Sequence, residues 1–144
     1  MLVQQILSGK PEGVVVTVPP GTSVAEAVEI LSARRIGALI VSTDGRHVAG
    51  ILSERDVVRE LGRRGPACLN DPVEKLMTTA IIGCSTDEST ESVMQKMTDG
   101  RFRHMPVMQG AVMVGLISIG DVVKARLSEL AMEKDALEGM IKGF

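Results

Sequence analysis

Two short segments of this 144-residue chain carry the residues best suited to chemistry. They are Gly50-Ile51-Leu52-Ser53-Glu54-Arg55-Asp56 and Gly115-Leu116-Ile117-Ser118-Ile119-Gly120-Asp121, two copies of the pattern G-[IL]-[IL]-S-x-x-D. In each, an apolar run reads as a buried strand and the residues after serine read as the start of a helix, so Ser and Asp share a strand-to-helix corner. A carboxylate placed there can accept hydrogen bonds from both adjacent hydroxyls of a sugar. The serine hydroxyl, the first helical amides and the positive end of the helix can receive an attached anion such as phosphate. The same spacing also makes a capping box, with Ser as the cap and Asp at the third helical position. Both readings are open at the level of the motif, and one residue pair can serve both. Arg55, between Ser53 and Asp56, is either a cation for phosphate or a solvated residue of the first turn.

Other chemistries find little support. The chain has two histidines, His47 and His104, and neither stands in a nucleophile-and-base pattern. No glycine-rich phosphate loop with lysine occurs, and Cys68 and Cys84 are too few for a zinc site or a disulfide framework. No catalytic residue and no metal site are therefore expected. The only aromatic residues are Phe102 and Phe144, so the core must be aliphatic with help from nine methionines. That composition supplies no stacking platform for single strands, and a formal charge of −2 supplies no basic face for nucleic acid. At 44% hydrophobic and 24% charged the chain reads as soluble and globular. It contains no run of about 18 uncharged apolar residues, and MLVQQILSGK lacks the features of a leader, so no membrane span and a cytoplasmic location are expected.

The elements that must position these corners repeat with them. Before the first, Thr22-Ser23 opens a helix with Val24, Ala27, Val28 and Leu31 on one face; before the second, Ser89-Thr90 opens one with Val93, Met94 and Met97. Each helix leads through a corner into an apolar strand, Ile36-Gly37-Ala38-Leu39-Ile40-Val41 in one copy and Arg103-His104-Met105-Pro106-Val107 in the other. A glycine-containing turn then returns the chain as His47 to Leu52 or Val112 to Ile117. Val14 to Val18 is a valine-rich run, and Ile82 and Cys84 stand at the corresponding place before the second helix. Val3, Ile6 and Leu7 match Val73, Leu76 and Met77 as short lead-in turns, and Asp71-Pro72-Val73-Glu74 reads as a capped helix start. The expected boundaries are 1–62 for the first repeat, 63–70 for a linker and 71–144 for the second repeat. The second ends in a long helix whose Leu127, Leu130, Leu137 and Ile141 need a covering partner.

This arrangement resembles the cystathionine β-synthase (CBS) domain pair, or Bateman module, over nearly the whole chain. The resemblance implies an α+β fold of two tandem βαββα repeats, packed through their sheets with pseudo-twofold symmetry. It implies clefts for AMP, ATP, NAD or a related adenosyl ligand, no catalytic cofactor, and pairing of modules as homodimers. With no catalytic or transmembrane domain in the sequence, the chain looks like a stand-alone sensor in signal transduction or energy sensing that acts on another protein.

The resemblance gives Ser53, Asp56, Ser118 and Asp121 the ribose and phosphate contacts, and gives Arg103 and His104, with Met105 and Pro106, the basic wall of one cleft. Ile36, Gly37 and Ala38 replace that wall in the first repeat with room for an adenine ring, so the two sites are expected to be unequal. Thr17 and Ile82 fall where the family's first strands line a cleft. A structural or partner-binding module without a nucleotide would share all of these packing features.

Overall fold

Four helices begin on a serine, and each begins for the same reason. The first amides of a helix have no acceptor within it, and a serine hydroxyl just before the helix supplies one. The computed structural model describes residues 1–10 and 15–142; Val14 and Phe144, named above, lie outside the described residues. The elements in chain order are α1 (Val3–Gly9), β1 (Thr17–Val18), α2 (Val24–Arg34), β2 (Ala38–Val41), β3 (Gly50–Ser53), α3 (Glu54–Arg64), α4 (Thr90–Gly100), β4 (His104–Gln109), β5 (Val112–Ser118) and α5 (Ile119–Ile141). Ser23, Ser53, Ser89 and Ser118 cap α2, α3, α4 and α5, each accepting from the amide three residues on. The fold is α+β, as the resemblance implies. Among the described residues no helix is long and apolar enough to cross a membrane.

The first repeat forms a three-stranded sheet in the order β1-β2-β3. β1 runs parallel to β2 with Thr17 opposite Ile40, and β2 runs antiparallel to β3 with Ala38 opposite Ser53. In the second repeat β4 and β5 pair, and the counterpart of β1 shrinks to one parallel bridge, Cys84 to Val107. α2 and α4 both end on an arginine in the left-handed conformation, Arg35 with φ 52° and Arg101 with φ 56°, which turns the chain into the central strand of each repeat.

The chain divides into two compact units that do not follow chain order. One comprises Met1–Gly13, Ile82–Gln109 and Gly115–Phe144; the other comprises Val14–Ile81 and Gly110–Val114. The lead-in helix α1 thus belongs with the second repeat, where Val3 and Gln4 donate to the carbonyls of Glu88 and Thr86. The second lead-in, a 3₁₀ turn at Val73–Lys75, belongs with the first repeat. There Val73 donates to Thr22, Val24 donates to Asp71, and Thr78 bridges Ile51. These backbone bonds explain why Asp71-Pro72-Val73-Glu74 makes a single 3₁₀ turn: its chain is committed to a bridge with Ser23, and the Asp71 carboxylate pairs with Arg64 instead of capping. Between the repeats, α3 continues to Arg64 and Pro66–Asn70 forms another 3₁₀ turn with Cys68 buried.

Each unit has its own aliphatic core. Val3 and Ile6 of α1 join Val93, Met97, Met105, Val107, Ile117 and Val122 in one. Val73 and Leu76 join Val24, Leu31, Leu39, Val41, Leu52 and Val57 in the other. A glycine in the returning strand admits each lead-in. A Cβ on Gly50 would stand 2.3 Å from Met77 Sδ, and one on Gly115 would stand 2.7 Å from Leu7 Cδ2. A side chain at the motif's glycine would thus force Met77 or Leu7 of the exchanged lead-in to shift. Past Ala125 the side chains of α5 named above are exposed, including Leu127, Leu130, Leu137 and Ile141.

Gly115→Val is expected to cost about 1–3 kcal/mol through overpacking against Leu7. Leu7→Ala in the same chain should recover part of that loss, because the two sites are in contact and their effects couple. Urea unfolding of the two single variants and the double variant measures both quantities.

Candidate functional site

At the second strand-to-helix corner the serine and aspartate cap each other. Ser118, the last residue of β5, accepts from the Asp121 amide at 3.2 Å, and its own amide donates to Asp121 Oδ2 at 2.8 Å. A second donor reaches the same carboxylate oxygen from far along the chain: Lys10 Nζ lies 2.8 Å from Oδ2 and also donates to the Leu116 carbonyl at 2.9 Å. Burial alone would raise the Asp121 pKa, but the hydrogen bonds from Lys10 and from the Ser118 amide outweigh it and hold the carboxyl below its usual value. Asp121 is thus an ionised acceptor whose side chain is 24% exposed. The Ser118 hydroxyl bonds the carboxylate as well, and since a carboxylate offers about four acceptor directions, these three donors leave it one to spare.

The first corner has the same frame and a different outcome. Asp56 Oδ2 accepts from the Ser53 amide at 2.9 Å and from the Ser53 hydroxyl at 3.0 Å. Its Oδ1 accepts from Arg59 Nη2 at 2.7 Å. Three donors converge on a side chain only 10% exposed. Less of this carboxylate is left for another molecule.

The remaining expected residues group around the two corners. The Gly37 carbonyl accepts from the Glu54 amide, and Ala38 pairs with Ser53, so Gly37 and Ala38 adjoin the start of α3. Thr17 lies on the neighbouring strand opposite Ile40, two residues beyond Ala38 on β2. Ile36 is half-buried and hydrogen-bonded to the end of α2, and Arg55 is exposed on the first turn of α3. In the other unit the Arg103 carbonyl accepts from the Ile119 amide at 2.8 Å, which sets Arg103 and His104 beside the start of α5. Met105 is fully buried in the core and Pro106 is buried with its carbonyl bonded to the Cys84 amide. Ile82 is exposed. Burial pushes the Cys84 thiol up to about 11, so it is a packed thiol at neutral pH. Two first-turn amides of α5 are already committed, Ile119 to Arg103 and Asp121 to Ser118, which narrows the anion-binding capacity expected of this helix start.

Sequence reasoning did not find Lys10 or Arg59. Arg59 carries a readable signal, since it lies three residues after Asp56 on one helix face. Lys10 carries none, because 111 residues separate it from Asp121. Among the described residues no group of three or more His, Cys, Asp or Glu side chains could hold a metal ion.

Two βαββα repeats, each with a Ser-x-x-Asp corner and a lead-in exchanged with the other, define a tandem regulatory-domain fold. Residues 11–63 and 73–128 each match the CBS domain, and the chain belongs to the CBS domain family. It is 35% identical over 125 residues to the mitochondrial CBS domain-containing protein CBSX3 of Arabidopsis thaliana, covering 84% of this chain and 61% of that protein. The chain therefore spans about three fifths of that relative's length. Among solved structures, a CBS-domain containing protein of Agrobacterium tumefaciens superposes with a TM-score of 0.83 at 42% identity, covering 88% of this chain and 99% of that one. The CBS domain pair of protein MJ0100, in complex with 5′-methylthioadenosine and S-adenosyl-L-methionine, superposes with a TM-score of 0.75 at 25% identity, covering 90% of this chain and 98% of that one.

Because the folded Asp121 carboxyl is held below its ordinary value of 3.8, the native state binds fewer protons there than the unfolded chain. Its contribution to stability is present above that value and is lost as pH falls through the lower folded one. Asp121→Asn should therefore lower the thermal midpoint at pH 7 and flatten its decline below about pH 4 relative to wild type. A residual decline will come from Asp44, Asp87, Glu88 and Glu129, which are held low in the same sense. Calorimetric scans from pH 7 to about pH 3 measure the difference.

Proposed function

We propose that this CBS domain pair is a non-catalytic regulatory module that binds an adenosine-containing ligand, and that the Ser118–Asp121 corner is its principal contact. One observation carries the reading: Asp121 is an ionised carboxylate whose side chain is 24% exposed, whereas the Asp56 side chain is only 10% exposed and is held by Arg59 of its own helix. In this reading the two ribose hydroxyls donate to Asp121, and charge on the acceptor strengthens both bonds. The 5′ substituent extends toward the start of α5, beside Arg103 and His104. The complex of the MJ0100 domain pair with two adenosyl compounds supports the ligand class, with AMP, ATP and NAD as the expected members. Ile82 gives a secondary contact within the same unit, and Ser53, Arg55 and Asp56, with Thr17, Ile36, Gly37 and Ala38 of their own unit, serve a weaker second site.

Ligand binding shifts the module between conformations only by its differential affinity for them. A regulated protein partner reads the outcome, and exposed apolar residues of α5 such as Val123 and Leu127 offer it a surface that also suits a second copy of the module. The cytoplasm is the proposed location.

Calorimetry and thermal melts with adenosine, AMP, ATP, NAD and S-adenosylmethionine test the site. A ligand at 100 times its dissociation constant should add about 2.7 kcal/mol to stability. Asp121→Asn should weaken binding on the order of 10- to 100-fold, the scale of a lost charged hydrogen bond, while Asp56→Asn should leave the tighter site nearly unchanged. Equal affinity in wild type and Asp121→Asn, or no binding of any of the five compounds, would overturn the assignment.

A further inference from the structure

The second corner holds a cation that the repeated motif does not encode. Lys10 is the residue that ends α1, and its ammonium bridges Asp121 Oδ2 and the Leu116 carbonyl. Its position is fixed from behind, because α1 is bonded to Glu88 and Thr86 and its Leu7 packs over Gly115. Among the described residues, no side chain of the other lead-in bonds Asp56 in this way. Aligning Val3, Ile6 and Leu7 with Val73, Leu76 and Met77 puts Ala80 at the position of Lys10. Asp56 takes its cation from Arg59 on its own helix, a side chain 68% exposed. Lys10 is therefore a built part of one corner only, delivered by the exchange of lead-ins.

We propose that Lys10 sets the charge preference of the Ser118–Asp121 corner, selecting adenosine ligands whose 5′ group is anionic over neutral or cationic ones. The inference rests on the proposed reading of that corner as an adenosine site. An ammonium bonded to the carboxylate that grips the sugar stands within roughly 6 Å of the sugar itself, since each hydrogen bond spans about 2.8 Å. Without it, Asp121 would present a net negative charge and favour a cation. With it, the pair is close to neutral, and the positive end of α5 is left to act on the 5′ group. At about 8 Å and an effective dielectric between surface and bulk values, one unit charge changes affinity about tenfold.

The test is calorimetric titration of the full chain, as wild type, Lys10→Met and Lys10→Arg, with adenosine, AMP and the sulfonium S-adenosylmethionine. Wild type should bind AMP about tenfold more tightly than adenosine. Lys10→Met should cut the AMP-to-adenosine ratio severalfold below the wild-type value and raise the relative affinity for S-adenosylmethionine, while Lys10→Arg keeps the wild-type order. Circular dichroism and urea midpoints confirm that both variants fold, as expected for a side chain 37% exposed. If wild type binds but the AMP-to-adenosine ratio is unchanged in Lys10→Met, the role of Lys10 is wrong and the adenosine site stands. If wild type binds none of the three compounds, the adenosine site itself is wrong and the role of Lys10 falls with it.

Discussion

A strand that runs straight into a helix leaves the first helical amides without partners, and the rest of this molecule is arranged around how that deficit is met. At both corners a serine hydroxyl takes one amide and an aspartate three residues on takes the serine's own. The aspartate is held in place by its structural task and still has acceptor directions beyond it. Capping thus leaves the same carboxylate able to accept from donors outside its own motif. What distinguishes the two corners is how deeply each carboxylate is buried and where its cation comes from. The Asp56 side chain is the more deeply buried and takes its cation, Arg59, from its own helix, while Asp121 takes Lys10 from a lead-in.

The exchange of lead-in segments decides where that lysine comes from. Neither repeat closes its own core: Val3 and Ile6 fill the core of the second repeat, and Val73 and Leu76 fill that of the first. Glycines in the returning strands make room, because any side chain at Gly50 or Gly115 would occupy the space of Met77 or Leu7. The same crossing that completes a core therefore carries Lys10 to Asp121. Charge at the site is a consequence of which lead-in is packed within that unit.

Much of the framework was legible in the residues because its causes are local. Ser23, Ser53, Ser89 and Ser118 were readable as helix starts, since a cap acts within a few residues. The apolar runs of β2, β3, β4 and β5 were readable because buried strands need continuous apolar character. Asp71-Pro72-Val73-Glu74 shows the limit of such reading. Its local chemistry suits a helix, and a backbone bridge to Ser23 leaves it one 3₁₀ turn. Arg35 and Arg101 show another limit, since a left-handed arginine that turns a helix into a strand has no strong composition signal.

The sequence by itself determined the duplicated α+β framework, the two Ser-x-x-Asp corners and the inequality between Arg103-His104 and Gly37-Ala38. These are properties of short segments, governed by capping, periodicity and side-chain size. Only the tertiary structure decided which lead-in completes which core, how many donors each aspartate receives and that Lys10 stands at Asp121. Those outcomes depend on contacts between residues far apart in the chain, and no local pattern encodes where a distant side chain will come to rest.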